Sequence, residues 1–453
     1  MAELIGQFTM RRLAPAPDLA AGLVALAGVL ESLPVDRPGV HRVEVPLARP
    51  ARALALPAGL PDGRLDPQML MGPTWSGLGA TVDLEVATPR ELPSPDAPLR
   101  LAFSLRFDPA REPAPEWRDF GRCRLWLPTV ELDSARNVLA LNWRGGLDRT
   151  ALHAALTAWR PRRPAAAAAR AIAWRTNGPT RAAWDRAVAA ALARIADTDQ
   201  LPLLRKIVLA SRIDGTLARA AHPSDLLAAA DLGTVGWPWW LGRGGRHWLG
   251  ETPELLCAHD QGTLRTVALA GTRPRDPDPE RDLALGDELL ASDKDRREQA
   301  AVADWLRSRL TQLAGREPDV GPLQLRRLPS LQHLSRDLVV EEADRLPLAA
   351  WLEALHPTPA LCGAPRAEVR AWLREAETFD RGLFGGVVGW LEPDRARAQV
   401  AIRGLMLHDR GWSRTPAPAW CAAAIRCSKW AEIGAKLAAV CRRLGLPSPE
   451  VSA

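Results

Sequence analysis

From about residue 80 to 145, apolar and polar positions alternate with a period of two, the spacing that turns one face of an extended chain toward a core. TVDLEVA (81–87), LAFSLRF (101–107) and RCRLWLP (122–128) each read as a strand, and VEL and VLALNW flank Asp133-Ser134-Ala135-Arg136-Asn137 as an antiparallel hairpin. Upstream, GLVALAGVLESL (22–33) predicts a short helix in an otherwise Pro-, Ala- and Arg-rich stretch. Residues 148–200 are Ala-rich with helical spacing, broken near Pro161 and Pro164. Alternation returns in HWLGETPELLCAHDQGTLRTVALAGT, with a turn at Asp260-Gln261-Gly262. Residues 288–310 predict one amphipathic helix, with Ser292 and Asp295 spaced as a capping box. RAQVAIRGLML (397–407) predicts a strand. Residues 429–444 predict a closing helix with Ile433, Leu437, Val440 and Leu444 on one stripe, Arg442 and Arg443 at its negative end and Gly445 stopping it. There is no repeat and no regular βαβ rhythm. The expected class is therefore α+β: antiparallel sheets with helices packed outside. The expected organisation is a variable, strand-rich half (1–195), a second half carrying the chemistry (196–445) and a short tail (446–453).

Composition narrows the partners. At 453 residues, 47% hydrophobic and 25% charged, the chain has the make-up of a globular protein with a large core. The net charge of +6 comes from arginines interleaved with acids, which argues against nucleic acid as a partner. The densest basic run, 160–175, reads as a Pro-bounded helix with a solvated Arg face or as a weak basic patch. Six cysteines form no CxxC pair, and eight histidines form no HExxH, so reduced thiols in a cytoplasmic protein are expected. No leader segment and no apolar run of membrane-spanning length is apparent. Without heptads, the expected state is a monomer. Tyr is absent and Trp numbers 18, so Trp is expected where large aromatic residues usually mix.

Only four of 59 basic residues are lysines: Lys206, Lys294, Lys429 and Lys436. Arg stays protonated, whereas a buried Lys can lose its proton and act as a base. Lys206 lies in the apolar run LLRKIVLA, where desolvation favours the neutral amine. Asp295 and Glu298 are three apart on one helix, and Glu432 precedes Lys436 by four on another. Carboxylates from two helices can hold one Mg2+, or the same residues can form the surface pairs Lys294–Glu298 and Glu432–Lys436. The glycine-rich stretches 242–250 and 382–390 lack the GK[ST] of a phosphate loop, and no GxSxG is present.

Eight motifs follow one another in a fixed order: KIVLASR (206–212), GETPELL (250–256), ALAGTRPR (268–275), LLASDKDRREQ (289–299), LHPTPALCGAPR (355–366), FDRGLFGGVVGWLEPD (379–394), VAIRG (400–404) and KWAEIGAKL (429–437). Together they resemble the chorismate-utilising enzymes, and among that family's branches most nearly the isochorismate synthases. The resemblance implies conversion of chorismate to isochorismate with Mg2+, by water addition at C2 and loss of the C4 hydroxyl. It implies that Lys206 is the general base and Glu254 the general acid. It implies that Glu298 and Glu432, with Asp295 nearby, hold the metal. Arg403 and Lys436 match carboxylate-binding cations, Gly271 and Thr272 a substrate-lining turn, and His356 and Thr358 a pocket segment. Burial would serve both titrating groups, lowering Lys206 and raising Glu254. The chain departs from the family where a GAGIV segment is usual. Residues Ala417-Pro418-Ala419-Trp420-Cys421 stand there, with Ala419 at a substrate-binding position, and Lys429 replaces a usual glutamate. Pro418 removes an N–H donor. Two alternatives stay open: an impaired chorismate-binding member, and a salicylate synthase. Menaquinone, siderophore and salicylate pathways would each use the product.

Overall fold

The computed structural model describes residues 8–34, 38–58, 65–66, 68–93, 95, 97–161, 172–175, 181–196, 206–217, 222–229, 236–328, 331–408, 418–426 and, near the end, 437–438, 440–442, 444 and 446. Its fold is α+β, built on two large sheets. The first runs Phe8–Arg12, Val40–Pro46, Val138–Trp143, Val130–Asp133, Trp75–Leu78, Gln68–Met71, Trp237–Arg243, Arg246–Thr252, Gly404–His408, Pro418–Arg426, Lys206–Leu217 and Ile172–Arg175. The second runs Asp319–Val320, Leu331–Val340, Thr263–Pro274, Leu255–Asp260, Arg395–Val400, Val387–Leu391, Leu101–Leu105, Cys123–Leu127 and Val82–Val86. Phe8–Arg12 lies parallel to Val40–Pro46, a departure from the all-antiparallel expectation.

Tryptophan fills the space between the sheets. Trp75, Trp239 and Trp248 of the first sheet meet Trp126 and Val388 of the second, with Trp117 among them. The Trp117 and Trp248 rings sit edge to face, 5.4 Å apart. Helices cover the outer faces. Leu19–Val29 and Arg149–Ala158 bury Leu23, Leu26, Leu152 and Leu156 on one stretch of the first sheet. Arg181–Ala196 and Arg366–Ala376 bury Trp184, Ala191, Val369 and Leu373 on another. Asp293–Ala314 and Leu348–Leu355 bury Val302, Leu306, Leu310 and Leu352 on the second sheet. Each large aliphatic side chain so buried contributes about 2 kcal/mol.

Strands from both halves of the chain interleave. Gln68–Met71 pairs with Trp237–Arg243 in the first sheet, and Leu101–Leu105 with Val387–Leu391 in the second. The two halves drawn at residue 195 therefore share both sheets. Among the described residues no helix is long and apolar enough to cross a membrane.

Three elements differ from expectation. The first helix begins at Leu19 rather than residue 22, because Asp18 caps it and accepts the Ala21 N–H at 3.0 Å. The stretch 288–310 is two helices, Pro279–Ala291 and Asp293–Ala314. Ser292 is extended between them and accepts the Asp295 N–H at 3.3 Å. The capping signal was sound, but the helix before it supplies residues 288–291. The stretch 397–407 is not one strand: Arg395–Val400 belongs to the second sheet and Gly404–His408 to the first. The break falls at Arg403, whose φ of 61° turns the chain from one sheet to the other. Of the closing helix only parts of 437–442 are described as helical; the remainder lies outside the described residues.

Candidate active site

Two chain segments cross between the sheets side by side. One passes from Arg246–Thr252 to Leu255–Asp260, the other from Arg395–Val400 to Gly404–His408. Gly250 pairs with Gly404, and the Val400 N–H donates to the Glu254 carbonyl at 3.0 Å. A side chain at Gly250 would strike the Arg403 carbonyl oxygen at 2.6 Å, so glycine is needed for this approach. The crossing sets Glu254 beside Arg403. Burial pushes the Arg403 guanidinium below its ordinary pKa, and Glu254, then Glu251, pull it back up. The Glu254 N–H donates to Thr252 Oγ1 at 3.1 Å, fixing the bend that carries the carboxyl.

Lys206 opens the strand Lys206–Leu217 and pairs with Ala364, while Ile207 pairs with Gly363. The Val208 N–H donates to the Cys362 carbonyl at 2.9 Å. This end of the strand is held by a buried guanidinium that sequence reasoning did not single out. Arg381 donates from Nη2 to the Val208 carbonyl at 2.7 Å and from Nη1 to the Leu361 carbonyl at 3.0 Å. It also pairs with Glu377, whose Oε1 accepts the Ala210 N–H at 2.9 Å. The Phe107 ring lies 4.3 Å from the guanidinium carbon. The only signal in the sequence was a Glu four residues before the Arg of FDRG.

The loop tied to Lys206 also carries His356 and Thr358, both buried. His356 Nε2–H donates to the Gly385 carbonyl at 2.9 Å, and the Gly385 N–H donates to the Ala401 carbonyl at 2.9 Å, two residues before Arg403. Burial, against the Gly385 bond, pushes His356 down to about 3 and keeps the ring neutral. The buried Thr358 hydroxyl has no hydrogen-bond partner among the described residues, which suits a group that meets a ligand. Lys206, His356, Thr358, Arg403 and Glu254 thus lie along one connected path.

A second group gathers at the start of helix Asp293–Ala314. Gly271, at φ 75° in a bulge between Ala270 and Thr272, approaches Asp295 so closely that an added Cβ would sit 3.2 Å from the Asp295 Cβ. Thr272 Oγ1 and the Gly271 carbonyl both meet His333 Nδ1, at 3.0 and 3.1 Å. Asp295 forms an ion pair with Arg273 at 3.0 Å. Glu298 is half-buried one turn on. Among the described residues no three His, Cys, Asp or Glu side chains could together hold a metal ion. Glu298 offers a hard oxygen donor of the kind Mg2+ takes. Glu432 and Lys436 lie outside the described residues.

Ala419 lies away from Arg403. In the strand Pro418–Arg426 it pairs with Leu407 on one side and Gly215 on the other. Leu405 pairs with Cys421, so the residues level with Arg403 are the next in line, Ala422 to Ala424, which pair with Arg212 to Ala210. On this register Ala422 to Ala424, rather than Ala419, come level with Arg403.

With this geometry in view, the fold and motifs have a clear affiliation: the chain belongs to the chorismate binding enzymes, whose family model matches residues 85–444. Among characterised relatives, it is 28% identical over 346 residues to the chloroplastic isochorismate synthase of Catharanthus roseus, covering 69% of this chain and 57% of that one. It is 32% identical over 262 residues to the isochorismate synthase EntC of Escherichia coli K12, covering 56% and 66%. The chain thus spans somewhat under three-fifths of the plant relative's length. The solved structure of MenF, the menaquinone-specific isochorismate synthase from Escherichia coli, superposes with a TM-score of 0.74 over 93% of this chain and 98% of that one, at 24% identity. That likeness is one of fold.

Proposed function

We propose that this chain is an isochorismate synthase that converts chorismate to isochorismate. The observation that carries the reading is the crossing of the sheets, which sets a carboxyl, Glu254, against a half-buried arginine, Arg403, on a path continuous with the strand of Lys206.

Water is a weak nucleophile and hydroxide a poor leaving group, so the reaction needs a neutral amine and a protonated acid. Lys206 takes a proton from water as its oxygen bonds to C2. The ring double bonds shift, the C4–O bond breaks, and Glu254 gives its proton to the departing hydroxyl, which leaves as water. Arg403 and Lys436 bind the substrate carboxylates. Gly271 and Thr272 line the ring pocket, and His356, as a neutral donor, holds the Gly385 turn beside Ala401 while Thr358 offers its hydroxyl. Glu298 and Glu432, with Asp295, would hold Mg2+; Asp295 is paired with Arg273. Bound there, Mg2+ would neutralise charge shared between the glutamates and a substrate carboxylate. The reading carries with it a cytoplasmic monomer whose product feeds menaquinone, siderophore or salicylate synthesis.

The test is incubation of the purified protein with chorismate, with and without Mg2+, and chromatographic resolution of products. Mg2+-dependent isochorismate is expected. Salicylate with pyruvate would make it a salicylate synthase instead. Chorismate bound without turnover would make it an impaired member.

A further inference from the structure

The FDRG turn ties together two parts of the candidate site that lie far apart in the sequence. Arg381 is 2% exposed and Glu377 is 7% exposed, so their ion pair lies wholly inside the protein. The guanidinium donates from Nε to Glu377 Oε2 at 2.7 Å, from Nη2 to the Val208 carbonyl at 2.7 Å and from Nη1 to the Leu361 carbonyl at 3.0 Å. Val208 lies on the strand that Lys206 opens. Leu361 closes the turn of Thr358, whose carbonyl accepts the Leu361 N–H at 3.1 Å and the Cys362 N–H at 3.0 Å. Glu377 in turn accepts the Ala210 N–H at 2.9 Å, so the pair grips the Lys206 strand at both Val208 and Ala210. The turn itself is braced from the other half of the chain. Asp380 accepts the Ala114 N–H at 3.0 Å and pairs with the buried Arg106, and the Trp117 indole N–H donates to the Asp380 carbonyl at 3.1 Å.

A buried ion pair adds little stability over a well-packed apolar pair of similar size. What a guanidinium adds is geometry: a flat fork of donors at fixed angles, which the ammonium of a lysine does not reproduce. Here the fork spans the Lys206 strand and the Thr358 turn. We propose that Arg381 is a positioning residue that sets the Lys206 backbone against the Thr358 turn, and so fixes the reach of the Lys206 amine to the substrate ring. It acts through Lys206 and not on the substrate itself. The inference rests on the reading of Lys206 as the general base.

The test is a double-mutant cycle of Arg381→Lys and Lys206→Ala, with kcat and KM for chorismate and the urea midpoint measured for each. Arg381→Lys keeps the charge beside Glu377 and loses the fork. It is expected to lower kcat by roughly 10- to 100-fold, as for a reacting group displaced by about 1 Å, and to leave KM within about twofold. In the Lys206→Ala background the same change is expected to cost less than about twofold, because residues that act as a unit are not additive. A general loosening of the core would cost the same factor in both backgrounds, and that result overturns the proposal. So does an unchanged kcat, or a rise in KM alone. Should Arg381→Lys not fold, Glu377→Asp takes its place in the cycle; it keeps the ion pair but shortens its reach to the Ala210 N–H, and the same non-additivity is expected. Crystal structures read the placement without turnover. In Arg381→Lys the Lys206 backbone is expected to shift relative to Thr358 by on the order of 1 Å, and an unmoved backbone overturns the proposal. If the wild type makes no isochorismate, the crystallographic comparison alone decides the role of Arg381, and it is the reading of Lys206 as base that falls.

Discussion

Gly363→Ala is the most direct test of whether Lys206, the proposed base, is held by its strand. Gly363 sits at φ 131°, a conformation open to glycine and costly for alanine. A Cβ there would lie 2.9 Å from the Lys206 carbonyl carbon and 3.0 Å from Val369 Cγ1, and closer still to the Lys206 carbonyl oxygen. Val369 is packed in the core under helix Arg366–Ala376, so the easier motion is displacement of the Lys206 backbone, by on the order of 1 Å to restore normal contact. Such a shift of a reacting group costs roughly 100-fold in rate. Backbone strain and overpacking together cost about 2–4 kcal/mol of stability. The assay is kcat for isochorismate formation per folded molecule, with the folded fraction set by urea unfolding. Gly389→Ala is the control: its Cβ would press on the Arg397 carbonyl in the hairpin Val387–Val400 and should cost stability without lowering kcat per folded molecule. A Gly363→Ala enzyme that keeps kcat within twofold of wild type, or a control that loses as much, would refute the link between this strand pair and the base.

Three further outcomes are expected. Lys206→Ala and Glu254→Gln should each lower kcat by on the order of 100-fold or more while leaving the urea midpoint in place; normal turnover by either would remove that residue from its role. His356 is held at about 3 in the folded state against 6.5 when free, so the unfolded chain binds more protons between these values. Its contribution is complete above pH 6.5 and is lost as pH falls toward 3, by up to about 5 kcal/mol, and His356→Asn should flatten the decline of unfolding free energy over that window. Glycine at Ala422 and Ala424 should lower KM for chorismate if that backbone faces a substrate carboxylate, and glycine at Ala419 should not; the reverse pattern would restore the 417–421 alignment.

Much of the fold was legible because local pattern and tertiary role agreed. The hairpin Val130–Asp133 and Val138–Trp143 was readable from its alternation and its turn, and Ser292 from its capping chemistry. The pattern failed where one local signal served two tertiary ends. Apolar spacing runs unbroken through 397–407, yet the chain changes sheets at Arg403, and nothing in a period of two marks that crossing. Helical spacing likewise continues across Ser292 and hides the end of the helix before it. At the candidate site, motifs pointed to Lys206, Glu254 and Arg403. Glu377 and Arg381 act through partners more than a hundred residues away, so only the folded chain reveals them.

The interleaving of strands bears on how such a chain is born. Leu101–Leu105 in the second sheet waits for Val387–Leu391, and in the first sheet Arg246–Thr252 waits for Gly404–His408. On the ribosome, the second sheet cannot close until residue 391 has emerged, nor the first until residue 408 has. Until then the Trp-lined faces and open strand edges stay uncovered, a state prone to aggregation and slowed by the entropy of distant loop closure. Expression yield should therefore respond to translation speed and chaperone supply more sharply than the stability of the finished protein would suggest.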